Sequence, residues 1–254
     1  MSYEKFAYLY DELMKDAPYH RWAEFVMAKL EQYGINNRSL LDLACGTGEL
    51  SIRLSKEGFD VTGVDLSSDM LAVAMKKAEA EGCKIPFFQQ DMSKLEGLGL
   101  FGTVGIFCDS LNYLKTEQEV FDTFVKVHNH LHEDGIFFFD VHSIFKVSQL
   151  FIDHTFTFNS DQLAYIWDSF AGEYPNSVEH ELSFFVLDEK TEKYDRYDEV
   201  HFQRTYSVKQ YTEWLESAGF ELLEVSADFE DTQPNEESER IFFIAKRKNE
   251  KPSP

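Results

Sequence analysis

The chain has 254 residues, 43% hydrophobic and 15% aromatic, enough to bury one large core, or one core with a small appended subdomain. Its formal net charge of −22 argues against a nucleic-acid partner, since the densest basic run is Lys246-Arg247-Lys248 near the C-terminus. No apolar run nears the ~20 residues of a membrane span, and the start MSYEKFAYLYDELMKD carries acids where a signal peptide is basic, so the expectation is a cytoplasmic protein without membrane contact.

Phe6, Leu9, Tyr10 and Leu13 recur at helical spacing, and beyond the Ala17-Pro18 break Trp22, Phe25, Val26 and Leu30 do so again as far as Tyr33-Gly34. Residues 1–33 are therefore expected to form an N-terminal helical cap. A strand follows at 39–44, a helix at 49–56, a strand at 60–64 and a helix at 67–80 opened by a serine cap. Further strands are expected at 85–89, 103–108 and 135–140, with a helix at 117–130 before the last. Short strands alternating with helices predict an α/β fold, a mostly parallel sheet covered on both faces.

The pattern changes after Phe145. Strand-like segments at 155–158, 163–170, 177–187 and 194–206, with turn signals at Tyr174-Pro175-Asn176 and Asp188-Glu189-Lys190, predict an antiparallel β insertion over residues 145–206. A helix at 207–217 and strands at 220–227 and 240–246 return to the main domain, which thus takes in 1–144 and 207–248. The final hairpin would leave the last strand antiparallel, and 249–254 are expected to be a flexible tail. Cys45, Cys83 and Cys108 are too scattered for a disulfide framework or a zinc knuckle and read as small buried fillers.

The segment Leu40-Leu41-Asp42-Leu43-Ala44-Cys45-Gly46-Thr47-Gly48-Glu49 runs from a buried strand through a small-residue turn into a helix. Gly46 and Gly48 let the backbone approach a ligand, and the helix offers its amides to ligand oxygens. The second strand ends at Asp65, whose carboxylate can accept both hydroxyls of a ribose, and the third ends near Asp91-Met92, where an adenine amino group and ring could be met. Three successive strand ends thus carry what an adenosine needs. A nicotinamide-dependent oxidoreductase would share part of this pattern, but Gly46-x-Gly48-x-x-Ser51 lacks the third glycine of that fingerprint.

The motif resembles that of the class I S-adenosylmethionine (SAM)-dependent methyltransferases. Phe6-Ala7 with Tyr10-Asp11, Asp109-Ser110-Leu111-Asn112-Tyr113, Tyr165-Ile166-Trp167 and Glu199-x-His201-x-x-Arg204-x-Tyr206 are similar to a group of small, mostly uncharacterised bacterial members. The resemblance implies a Rossmann-like seven-stranded sheet with the last strand reversed and a small lid subdomain over the active site. It also implies SAM as cofactor, with Ala44, Gly46 and Gly48 along its methionine portion, Asp65 and Leu66 at the ribose, and Asp91 and Met92 at the adenine. Tyr19 and Trp22 would close over it, beside Cys108. No metal is implied, and the run His128-x-His130-x-His132 is set aside because helical residues two apart diverge.

The resemblance places the end of the fourth strand beside the transferred methyl group, making Asp109, Asn112 and Tyr113 candidates to position an acceptor, and His142 the candidate base. Direct in-line displacement needs no covalent enzyme intermediate. The acidity and the lid-like insertion favour a small-molecule acceptor over RNA or protein, and a non-catalytic SAM-binding module is the remaining alternative.

Overall fold

The computed structural model describes residues 10, 11, 13–15 and 17–248. The start of the first expected helix, including Phe6 and Leu9, and the tail at 249–254 lie outside these residues. The main domain begins with α1 (Tyr19–Gln32), β1 (Ser39–Leu43), α2 (Glu49–Lys56), β2 (Asp60–Asp65), α3 (Ser68–Ala80) and β3 (Phe87–Gln89). It continues with β4 (Phe101–Ile106), α4 (Glu117–Asn129) and β5 (Leu131–His142). Hydroxyl caps set several helix starts: Ser67 accepts the Met70 amide, Ser207 accepts the Gln210 amide, and Thr116 with Glu119 forms a capping box.

Between β5 and the return to the main domain lie β6 (Thr155–Asn159), β7 (Leu163–Ala171), β8 (Ser177–Asp188) and β9 (Lys193–Arg204), a four-stranded antiparallel sheet. The chain then forms α5 (Val208–Ser217), β10 (Phe220–Ala227) and β11 (Arg240–Arg247). A wide helical turn at Lys146–Phe151, absent from the sequence reading, leads into the insertion; its Val147 and Phe151 pack with Val178 of β8.

The seven-stranded sheet has the order β10-β11-β5-β4-β1-β2-β3, with β11 antiparallel to both neighbours. Strand order reverses at β1, which lies between β4 and β2. Leu43 pairs with Val64 and with Ile106, so β1, β2 and β4 end level and their following loops share one rim. Because β11 runs the other way, its first residue, Arg240, pairs with His142 and reaches the same rim. In β5, Phe137 and Phe139 join the layer beneath α4 and α5, while Ile136 and Phe138 join the layer beneath α1 and α2. Burial on both faces explains why these strands read as unbroken apolar runs. Among the described residues no helix is long and apolar enough to cross a membrane.

Candidate active site

The turn after β1 is built on left-handed backbone: φ is +57° at Ala44, +54° at Gly46 and +76° at Gly48, the residue that opens α2. A Cβ at Gly48 would stand 3.0 Å from Cβ of Ala74, so glycine serves there both the conformation and the close packing of α3. Asp65 ties this turn to the next. Its Oδ2 accepts the Gly46 amide at 2.8 Å and its Oδ1 the Ser67 amide at 2.8 Å. Burial raises the Asp65 pKa, with the Ser67, Gly46 and Leu66 amides acting against it. Beneath the turn, burial pushes the carboxyl of Asp42 up to about 7, opposed by the Ser51 hydroxyl.

The N-terminal segment is fastened to the same turn. The Thr47 hydroxyl donates to Asp11 at 2.5 Å, and the Lys77 ammonium reaches Asp11 at 3.1 Å and Glu49 at 3.0 Å. This brings Tyr10 over two adjoining cavities. A cavity of about 340 Å³, within the ~300–1,000 Å³ typical of small-molecule sites, lies between Asp65, Leu66 and Met92 on one side and Tyr113, Leu114 and His201 on the other. A smaller one of about 30 Å³ lies against Tyr19, Asp42, Glu49, Phe107 and Cys108. Tyr10, Ala44, Gly46 and Ser110 line both.

Most of the residues anticipated from sequence converge here. Ala44, Gly46, Asp65, Leu66, Asp91, Met92, Tyr113, Tyr19 and Cys108 line one or both cavities. Asp91 does so with its carboxylate engaged: Oδ1 accepts the amide and hydroxyl of Ser93, at 2.9 and 2.7 Å, and Oδ2 pairs with Lys94 at 3.0 Å. Cys45 and Cys108 are not buried fillers, since both are partly exposed and line the smaller cavity, and Cys83 is partly exposed as well.

Five anticipated residues line neither cavity: Gly48, Asp109, whose carboxylate is held by Arg240, Gln203 and His142, and the three that follow. Trp22 is core, not lid: it is 3% exposed, lies edge-on to Phe229 and donates its indole N–H to Asp140 at 2.9 Å. Asn112 is buried and stitches three segments together, donating to the Arg204 carbonyl at 2.8 Å and accepting the His142 amide at 2.9 Å. His142 is buried rather than open to the rim. The twelve-residue β5 carries it to the strand's last position, where its ring is buried edge-on to Phe151 with Nε2 3.1 Å from Asp109, lining neither cavity. Burial lowers its pKa, while Asp109 acts in the other direction.

The histidine that does face the larger cavity is His201 of β9, its ring 5.9 Å from that of Tyr113 and nearly perpendicular to it. Burial lowers its pKa, leaving a neutral imidazole at neutral pH. Period-two alternation groups Glu199, His201 and Gln203, and it is this face that turns inward: Gln203 donates to Asp109 at 2.9 Å. Among the described residues no cluster of His, Cys, Asp or Glu could hold a metal ion.

The fold and rim define a nucleoside-cofactor enzyme of the α/β class, and known proteins refine that. A family model described as "Methyltransferase domain" matches residues 40–135. A Geobacillus sp. (strain WCH70) protein, provisionally named a methyltransferase, is 54% identical over 248 residues, covering 97% of this chain and 100% of its own length. YqeM of Bacillus subtilis (strain 168), named in the same provisional way, is 50% identical over 248 residues, covering 97% and 98%. Among solved structures, a SAM-dependent methyltransferase from Clostridium acetobutylicum ATCC 824 superposes with a TM-score of 0.88 at 31% identity, covering 98% of this chain and 100% of that one. The chain belongs to the SAM-dependent methyltransferases. Its residues fit that cofactor: the left-handed turn residues Ala44 and Gly46 line both cavities, and the Asp65 carboxylate stands at the end of β2 beside the larger one.

Proposed function

We propose that this enzyme methylates a small molecule that is uncharged or cationic and enters beneath the β insertion. The observation that carries this reading is the 340 Å³ cavity, whose lining, among the described residues, holds polar, aromatic and aliphatic groups but neither lysine nor arginine. An anionic acceptor would find no counter-charge among the described lining residues, and the net charge of −22 works against its approach. Gly46, Gly48 and Ala44 hold the amino-acid end of SAM, Asp65 and Leu66 the ribose, and Met92, with Asp91, the side of the adenine. When bound, SAM would supply an electrophilic methyl group on a sulfonium, with S-adenosylhomocysteine as the leaving group when the acceptor's nucleophile takes the methyl.

The chain's own residues then position and shield. Tyr10 and Tyr19 cover the cofactor's amino-acid end and exclude water, and Tyr113 and His201 face the acceptor. His201, neutral at its depressed pKa, accepts the proton that an O–H or N–H acceptor must shed. Residues 145–206 serve as a lid whose inward face completes the acceptor pocket.

The test is methyl transfer from labelled SAM into a cell extract split by a small-pore filter. Label appearing in the small-molecule fraction supports the reading. Label confined to the retained RNA or protein overturns it.

A further inference from the structure

The turn after β4 contains two consecutive non-glycine residues in left-handed backbone, Cys108 at φ +55° and Asp109 at φ +54°. Such positions are sparsely populated and persist only where the surroundings over-determine them. Here the surroundings converge on one carboxylate. Asp140 of β5 is 0% exposed; its Oδ1 accepts the Cys108 amide at 3.0 Å and the Trp22 indole N–H at 2.9 Å, and its Oδ2 accepts the Asp109 amide at 3.0 Å. Arg240 of β11 pairs with Oδ2 through one guanidinium nitrogen and with Asp109 through another at 2.8 Å. The Asp109 carboxylate is held in addition by Gln203 of β9 and His142 of β5.

The structure assigns Asp140 as a positioning residue for the amino-acid end of the cofactor: it holds Cys108 and Asp109 left-handed, so that Cys108 and Ser110 wall the smaller cavity beside Gly46. This rests on the proposed seating of SAM, and it adds a residue that lines neither cavity. A carboxylate is required because four donors surround it. An isosteric amide keeps one acceptor oxygen and turns an N–H toward the Asp109 amide and Arg240, where both neighbours are donors already.

The test compares two ligands on the full-length protein by calorimetry. S-adenosylhomocysteine carries the amino-acid arm, and 5′-methylthioadenosine shares the adenosine and sulfur but lacks that arm. Asp140→Asn should weaken the first by about tenfold or more and the second by less than about twofold. Equal weakening of both marks Asp140 as merely structural and overturns the proposal, as does no weakening of either. Wild-type protein binding both ligands equally well overturns the seating of SAM on which the proposal stands, whatever the variant does.

A second measurement covers a variant that folds poorly. Cys108→Gly removes the Cβ penalty of left-handed backbone, so it should raise the melting temperature of the Asp140→Asn chain by more than it changes that of the wild type. A double variant that melts no higher than Asp140→Asn alone, or does not fold, also overturns the assignment.

Discussion

Asp42 and Asp65 stand one strand apart at the glycine turn, yet a change at each should be read by a different instrument. Burial raises the Asp42 carboxyl from 3.8 to about 7. The folded chain therefore holds a proton that the unfolded chain releases, and this contribution to stability is complete below about pH 4 and is lost as pH rises through about 7. Asp42→Asn removes that loss. Its melting temperature should gain on the wild type between about pH 5 and pH 8, and a constant gap over that range contradicts the account. Asp65→Ala takes away two amide acceptors and the proposed ribose contact, so SAM and S-adenosylhomocysteine should both bind about 1.5–3 kcal/mol more weakly, roughly ten- to a hundredfold by calorimetry. His201→Ala should leave S-adenosylhomocysteine affinity nearly unchanged while transfer to the natural acceptor falls by about 100-fold or more. The same result from His142→Ala, without loss of stability, would return the base to β5.

The insertion is held to the main domain by bonds that an excised piece cannot keep. Gln203 donates to Asp109, the Asn112 amide to the Arg204 carbonyl, and the Thr205 hydroxyl to the His142 carbonyl. Residues 145–206 expressed alone should give poorly dispersed amide spectra, and a well-dispersed spectrum would make the insertion an independent domain. Within it, His180 accepts at Nδ1 from Trp167 at 2.9 Å and meets the Ser169 hydroxyl at 2.8 Å, which leaves Nε2 to face Gln203. Burial pushes its pKa down to about 4, opposed by the Gln203 bond. A neutral histidine in the fold contributes fully above about pH 6.5 and loses that contribution as pH falls toward 4. His180→Gln should flatten this acid-side loss in a pH series of thermal melts.

Elements of this kind are where sequence reads best. Apolar runs such as Leu40–Leu41 and Phe137–Phe138–Phe139, bounded by Gly and capped helices, mark the strands because both their faces are buried. β9 ends at Arg204 and not at Tyr206, a two-residue difference of the usual size. Illegible were the pairings across distance: Asp140 with Arg240 one hundred residues away, and Gln203 with Asp109 across ninety-four. No periodicity records these. The left-handed Cys108–Asp109 turn escaped for a related reason, since neither residue is a glycine and only the carboxylate of Asp140 makes the conformation tenable. His142 misled because the strand runs to its own position, burying a ring that a shorter strand would have left on the rim.

At the scale of the molecule, cofactor and fold are thermodynamically linked. The glycine turn, the N-terminal segment and the insertion meet around the two cavities, and only the folded chain brings them together. S-adenosylhomocysteine at about 100 times its dissociation constant should then add ~2.7 kcal/mol of stability. For a chain of this size that raises the melting temperature by roughly 5–10 °C, measurable by differential scanning fluorimetry. No shift, in a sample that melts cooperatively, would mean that the cofactor does not bind at the assigned cavities.

Arg240 has a consequence in time. Translation delivers Asp109 first, Asp140 next and their shared guanidinium only with the reversed strand β11, 100 residues after Asp140. Until that strand emerges, two acids stand close at the rim without their cation, and the sheet lacks the strand that joins β10 to β5. A nascent chain stopped before residue 240 should therefore stay protease-sensitive with or without S-adenosylhomocysteine, while the full chain is protected by it. Competence for the cofactor thus waits on β11, and a product truncated before residue 240 should not sequester SAM.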